Sequence, residues 1–108
     1  MNDVQLDRVY DVVSMIPTGK VSTYGIIAKF LNIPNPRWVG RALRLIPSHI
    51  NHVPAHRVVN AAGKISGEIS DPSTSIRIQK LKDEGVIISV NKIVNLKHYF
   101  WDPSIEIN

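Results

Sequence analysis

The sequence predicts a mainly α fold: a winged helix-turn-helix in which a three-helix core is followed by a small β wing. Three observations carry this. Apolar residues recur at helical spacing in three successive segments before Pro47, a tight proline break separates the second segment from the third, and two β-branched runs flank a turn late in the chain.

In the first segment the apolar positions Leu6, Val9, Tyr10, Val13 and Ile16 form one face of a core-facing helix that stops at Pro17-Thr18-Gly19. Ser22 is the expected N-cap of the second helix, which places Tyr24, Ile27, Ala28 and Leu31 on one side. The free amides at its start, with the hydroxyls of Ser22 and Thr23, would make a site for a phosphate oxygen. Asn32-Ile33-Pro34-Asn35-Pro36 ends that helix, and Asn35 as cap with Pro36 at the first helical position starts a third. Val39, Ala42, Leu43 and Ile46 form its inward stripe, while Arg37, Arg41 and Arg44 recur at spacings of four and three on the other side. Two short helices with a basic stripe on the second read as a helix-turn-helix, although a solvated arginine face explains the stripe equally well at this point. Gly40 lowers helix propensity by about 1 kcal/mol relative to alanine and is tolerable where another backbone must come close.

Beyond Pro47 an irregular loop runs to Asn60, with Arg57-Val58-Val59 a candidate short strand, followed by a turn at Ala61-Ala62-Gly63-Lys64. Ile65 to Ser75 is a polar loop of small residues without a basic one. Asp71-Pro72-Ser73 opens a fourth helix with Ile78 and Leu81 inward, closed at Glu84-Gly85 by glycine as the C-cap. Val86 to Val90, a turn at Asn91-Lys92 and Ile93 to Leu96 then form the hairpin or wing.

The chain has 108 residues, with no repeat or low-complexity segment, and residues 1–108 are expected to form one domain. Thirteen Lys and Arg against nine Asp and Glu leave a formal net charge of +4, a footprint compatible with a polyanionic partner. The absence of cysteine excludes disulfides and thiolate metal sites. No basic start followed by an apolar run and no membrane-length apolar segment are present, so an intracellular, soluble protein is expected, in cytoplasm or nucleoid, or in a nucleus if the source has one.

Chemistry concentrates at Val53-Pro54-Ala55-His56-Arg57-Val58-Val59-Asn60, where a proline fixes the backbone ahead of a histidine and an arginine. Nucleophilic catalysis needs a nucleophile beside an oriented base. His56 can be that base and Glu84 can orient it, but the position between Pro54 and His56 holds only the methyl of Ala55. Ser48 or Ser66 would serve only if the fold returned it to His56. His49, His52 and His56 are close in sequence, but no acidic residue lies near them and the loop lacks the face-sharing of a helix, so no metal and no cofactor are expected. A half-buried histidine bonded to a carbonyl and a carboxylate, and an ordinary helix-end acid, remain sufficient readings of His56 and Glu84.

With Lys20-Val21-Ser22-Thr23-Tyr24-Gly25, Arg37-Trp38-Val39-Gly40, Pro54-Ala55-His56-Arg57-Val58-Val59 and Glu84-Gly85 in this order, the chain resembles the DNA-binding domain of the O6-alkylguanine-DNA alkyltransferases, from about Leu6 to Trp101. Those enzymes carry a Pro-Cys-His-Arg motif whose cysteine takes the alkyl group irreversibly. Here Ala55 occupies the cysteine position and the amino-terminal domain common in the enzymes is expected to be missing, two departures shared with the alkyltransferase-like proteins, which bind the lesion without repairing it.

The resemblance implies that Tyr24, with Thr23 at a helix start, crowds the target's 3′ phosphate and helps rotate the nucleotide outward. It implies that Arg37 enters the duplex in place of the flipped base, that His56 and Glu84 match the proton-relay pair, and that Arg57 is structural. Ser22, Thr23, Tyr24, Arg37, Trp38, Gly40, Arg41 and Arg44 form the expected DNA-binding set. Tyr24, Pro54, Ala55, His56, Arg57, Val58, Ile65, Ser66 and Glu84 form the expected lesion pocket, with the loop toward Ser75. The loop lacks the basic residue that some alkyltransferase-like proteins place near the flipped base, Glu68 stands near that position, and the family's asparagine after the recognition helix is replaced by Arg44-Leu45-Ile46-Pro47. Trp38 carries no assigned role, and a core or rim position is expected for it. The implied function is to bind duplex DNA containing O6-alkylguanine as a monomer, flip the base without dealkylation, and flag it for nucleotide excision repair proteins. The rival readings are a genuine alkyltransferase whose nucleophile was replaced by engineered Ala55, and a helix-turn-helix regulator reading sequence in the major groove.

Overall fold

A computed structural model describes residues 2–107. The first helix, α1 (Asp3–Ser14), begins ahead of the expected Leu6 because Asn2 and Gln5 cap it reciprocally, each side chain accepting from the other's backbone N–H. Val9, Val13 and Ile16 are buried as the periodicity requires, and the Tyr10 hydroxyl reaches across to donate to the Ala42 carbonyl at 2.8 Å.

The second helix, α2 (Tyr24–Phe30), is capped by Thr23, whose Oγ1 accepts from Ile26 N at 3.2 Å, and not by Ser22 as expected. The cause is long-range. Ser22–Thr23 form a short strand, β1, parallel to β2 (Val58–Val59), with Ser22 opposite Val58 and Thr23 opposite Val59. Helix α3 (Arg37–Arg44) starts one residue after the expected Pro36, although Pro36 already has helical dihedrals and Asn35 Oδ1 accepts from Arg37 N at 3.0 Å. Val39 and Ala42 are buried, while Leu43 and Ile46 are only half-buried.

In the second half, α4 (Pro72–Asp83) follows the sequence closely. Asp71 caps it by accepting from Ser73 N, Ile78 and Leu81 are buried together with Thr74, and Gly85 takes up φ +91° after Glu84. The wing is smaller than expected: β3 (Ile88–Ser89) pairs antiparallel with β4 (Lys92–Ile93), and Lys92 lies in a strand instead of in the turn. That register sets Ile93, which is buried, opposite Ile88, and forces Val90 into the left-handed region at φ 60°. Core burial wins over local turn preference.

The sequence reading did not anticipate α5 (Leu96–Tyr99), α6 (Pro103–Glu106) or the stretch joining them. Val21 N donates to the Tyr99 carbonyl at 2.9 Å and Trp101 N to the Val21 carbonyl at 2.7 Å, so this stretch lies alongside the residue that leads into β1. Buried residues fall into two clusters. One joins α1, α2 and α3 with Val58 and Trp101, and the other joins Val21, Val59, Ile65, α4, Val86, Ile93 and Tyr99. Successive strand residues point to opposite sides, so Val58 enters the helical cluster and Val59 the other. The loop ahead of them is thereby pinned at the seam between the two halves. Among the described residues no helix is long and apolar enough to cross a membrane.

Candidate functional site

At that seam Pro54 precedes a single 3-10 turn, Ala55–Arg57, closed by Arg57 N donating to the Pro54 carbonyl at 2.9 Å. The three side chains of such a turn point in different directions. Ala55 lines a cavity, while His56 and Arg57 turn to Glu84 at the end of α4.

Glu84 is the hub of a polar cluster. His56 Nε2 lies 2.6 Å from Oε2, the Arg57 guanidinium donates to both oxygens at 2.9 Å, and Gly19 N donates to Oε1 at 3.1 Å. Arg57 also donates to the Ile16 carbonyl at 2.8 Å and the Thr18 hydroxyl at 3.1 Å, which fastens the turn to the end of the first helical segment. Burial alone would push the Glu84 carboxyl up. The hydrogen bonds from Arg57, His56 and Gly19 and the attraction to His56 outweigh it and hold the carboxyl at about 2, against 4.5 for a free glutamate. Glu84 is thus ionised at neutral pH, so the proton between it and His56 Nε2 resides on the imidazole.

The cavity beside Ala55 measures about 440 Å³ and is walled by Tyr24 from the start of α2, by Gly40, Leu43 and Arg44 of α3, by Ser66, Gly67, Asp71 and Ser73 of the loop before α4, and by Arg77. That volume falls within the range of small-molecule pockets. An outer concavity of about 420 Å³ shares Tyr24, Gly40, Arg44 and Ser66 with it and adds Pro36 and Arg37. Tyr24 spans the boundary, its hydroxyl 3.0 Å from Ser66 Oγ.

Of the expected pocket residues, Tyr24, Ala55 and Ser66 stand on this wall. Val58 and Ile65 do not. They are 2% and 1% exposed and serve the two cores, because the strand and loop positions flanking the turn must bury their apolar side chains. Pro54 is half-buried off the wall, and His56, Arg57 and Glu84 form the cluster behind it.

On the expected DNA face, Arg37, Gly40 and Arg44 line the outer concavity with Tyr24. Arg41 instead borders a separate cleft with Leu6, half-buried Trp38 and Leu45, which gives Trp38 a rim position. The expectation of a phosphate site built on two hydroxyls is corrected. Ser22 is 0% exposed in β1, its hydroxyl sealed with no partner, and the Thr23 hydroxyl is engaged as the cap of α2. No backbone crowds Gly40. The ring of Tyr24 lies nearest, 3.6 Å from where a Cβ would stand.

Neither serine completes a nucleophile-base pair. Ser48 is exposed on its loop, and Ser66 Oγ is bonded to Tyr24 and Arg77 while His56 faces Glu84. His49 and His52 are exposed, away from the His56 cluster, and no group of three His, Cys, Asp or Glu among the described residues could hold a metal.

The residue the sequence reading missed is Arg77. It lies three after Thr74 and four before Leu81, on the inward edge of α4, a spacing that was available as a signal. From there it donates to the Ser66 carbonyl at 2.7 Å, to Ser66 Oγ at 3.2 Å and to Thr74 Oγ1 at 3.2 Å. Gly67 makes room for this: a Cβ there would fall 2.5 Å from Thr74 Oγ1 and 3.1 Å from Arg77 Nη2.

Residues 5–86 match the family model of the 6-O-methylguanine DNA methyltransferase DNA-binding domain. Alkyltransferase-like protein 1 of Schizosaccharomyces pombe is 40% identical over 101 residues, covering 89% of this chain and 93% of that protein. A DNA base-flipping protein of Vibrio parahaemolyticus is 39% identical over 102 residues, covering 94% of this chain and 99% of its own. The crystal structure of S. pombe Atl1 in complex with damaged DNA containing O6-carboxymethylguanine superposes with a TM-score of 0.83 at 38% identity, over 95% of this chain and 99% of the other.

Proposed function

The chain belongs to the family of the 6-O-methylguanine DNA methyltransferase DNA-binding domain, and from that premise we propose that it binds duplex DNA containing O6-alkylguanine, turns the damaged base out into the cavity beside Ala55, and leaves the alkyl group in place. The observation that carries this reading is a cavity with the methyl group of Ala55 in its wall, next to a His56-Glu84 pair to which, among the described residues, no side-chain hydroxyl is hydrogen-bonded. The names of the relatives, alkyltransferase-like and base-flipping, and the damaged DNA bound by the S. pombe protein support it.

In this reading the family resemblance supplies the roles and the positions of the residues are compatible with them. Extruding a base costs a few kcal/mol, least where pairing is already weakened, and an alkyl group on the guanine oxygen weakens its pair with cytosine. Arg37, on the outer concavity, takes the vacated space, where its planar guanidinium stacks and donates to the orphaned partner. Tyr24 stands between the outer and inner spaces and crowds the backbone so that the nucleotide turns inward. Each buried CH₂ of the adduct against Ala55 adds about 0.8 kcal/mol of retention. The complex is non-covalent and long-lived, the protein acts as a monomer inside the cell, and the marked lesion passes to nucleotide excision repair.

The test is a titration of matched duplexes with and without a single O6-methylguanine, with 2-aminopurine beside the lesion to report unstacking and mass spectrometry to read the alkyl content after long incubation. Tighter binding to the methylated duplex, an unstacking signal and unchanged alkyl content are expected. The log-log salt slope should grow by about 0.9 per phosphate neutralised. Indistinguishable dissociation constants would refute lesion binding, preference among undamaged sequences would favour a regulator, and dealkylated guanine would refute the non-catalytic reading.

A further inference from the structure

Arg77 is unusual among the cations of this structure. It is half-buried and lines the inner cavity, yet the only ion pairs among the described residues involve Glu84, so no carboxylate lies within ion-pair distance of it. A guanidinium has five N–H donors. Four are engaged, by the Ser73 carbonyl, both oxygens of Ser66 and the Thr74 hydroxyl, all neutral acceptors, and one N–H on Nη1 remains over. Two other charged groups share the wall. Asp71 uses Oδ1 to cap α4 at Ser73 N, and Arg44 adds a second positive charge from α3, so the lining carries a net single positive charge.

We propose that Arg77 is a specificity-determining residue that makes the pocket favour O6 adducts ending in a carboxylate over apolar alkyl groups of the same size. The inference rests on the lesion-binding reading above. In that reading the O6 substituent points toward Ala55, and Ala55 shares its cavity with Arg77. A carboxylate arriving there finds a guanidinium already oriented by four hydrogen bonds, with a donor in hand and no counterion to displace. An apolar group finds the methyl of Ala55 and the side chain of Leu43, but leaves the Arg77 charge unanswered. Glu68, in the loop, is exposed and does not pair with Arg77.

The experiment compares three duplexes of one sequence, carrying O6-carboxymethylguanine, the isosteric O6-isobutylguanine or plain guanine, with the wild-type protein and R77Q. The wild type is expected to bind the carboxymethyl duplex about tenfold more tightly than the isobutyl one, the scale of one charge-assisted hydrogen bond net of desolvation. In R77Q that ratio should fall to about one. A purely structural Arg77, acting only as the clamp on the loop, would weaken both adducts alike and leave the ratio unchanged, which would overturn the proposal. Should R77Q not fold, R77M is read instead: it keeps much of the side chain's length but not its charge, so a ratio near one supports the proposal and an unchanged one overturns it. If both adducts bind more tightly than guanine but equally, selection by Arg77 is refuted and lesion binding stands. If neither is preferred over guanine, the lesion reading falls and this inference with it.

Discussion

Replacing Glu84 by glutamine tests what the His56-Glu84 pair does in a protein whose turn presents only a methyl. Glu84 accepts from His56, twice from Arg57 and from Gly19 N, which ties the turn at Ala55–Arg57, the end of α4 and the segment after α1 into one unit. Glutamine keeps one acceptor oxygen and turns the other position into a donor. Its amide group therefore meets either Arg57 Nε and Gly19 N, or Arg57 Nη2, with N–H against N–H. Holding a carboxyl at about 2 when its free value is 4.5 corresponds to at most about 3 kcal/mol of stability at neutral pH. Allowing for solvent screening, we expect E84Q to lose about 2 kcal/mol.

The sign of the pH dependence is set by the depressed value. The stabilisation is fully present above 4.5 and is lost as pH falls through about 2. Thermal or urea unfolding of both proteins reads it. E84Q should melt about 10 °C lower at neutral pH, from about 4–8 °C per kcal/mol for a domain of this size, and the gap should shrink to less than half at about pH 3. Equal stability at neutral pH, or a gap as wide in acid as at neutrality, would refute the view that this cluster is a structural clamp charged by Glu84.

Three further outcomes follow from the geometry. S22A removes a hydroxyl that is sealed in β1 without a partner, so it should stabilise the protein by about 1 kcal/mol and leave DNA affinity unchanged; a loss of affinity would restore the hydroxyl to the phosphate site. G40A should add up to about 1 kcal/mol of helix stability by denaturant unfolding. Its methyl group would stand 3.6 Å from the Tyr24 ring and 3.7 Å from Arg44 Nη1 on the wall of both cavities, so lesion affinity should fall, and unchanged affinity would show that this wall is not in contact with the base. R37A should weaken lesion binding and the unstacking signal more than R44A does, and equal losses would reduce the arginine stripe to a phosphate-facing surface.

Local chemistry was legible in the residues alone. The 3.6-residue stripes of α1 to α4, the Asp71-Pro72 start, the Asn35 cap and the Gly85 stop all depend on neighbours a few positions away, and the structure reproduces them with shifts of one to three residues at the ends. The order of motifs around Pro54-Ala55-His56-Arg57 was equally open to reading, and with it the alanine between Pro54 and His56.

What only the tertiary structure decided is where side chains on non-periodic segments end up. Ser22 looks like a cap until Val58 pairs with it, and Ile65 looks like pocket lining until the second core claims it. Val90 gives way to the burial of Ile93, and the stretch after Leu96 acquires its role from Val21, far away in sequence. Arg77 becomes a wall of the cavity only because Gly67 lets the loop close onto it. Helix periodicity and capping are short-range and written residue by residue, whereas the destination of a loop side chain is fixed by contacts between segments that meet only once the chain has folded.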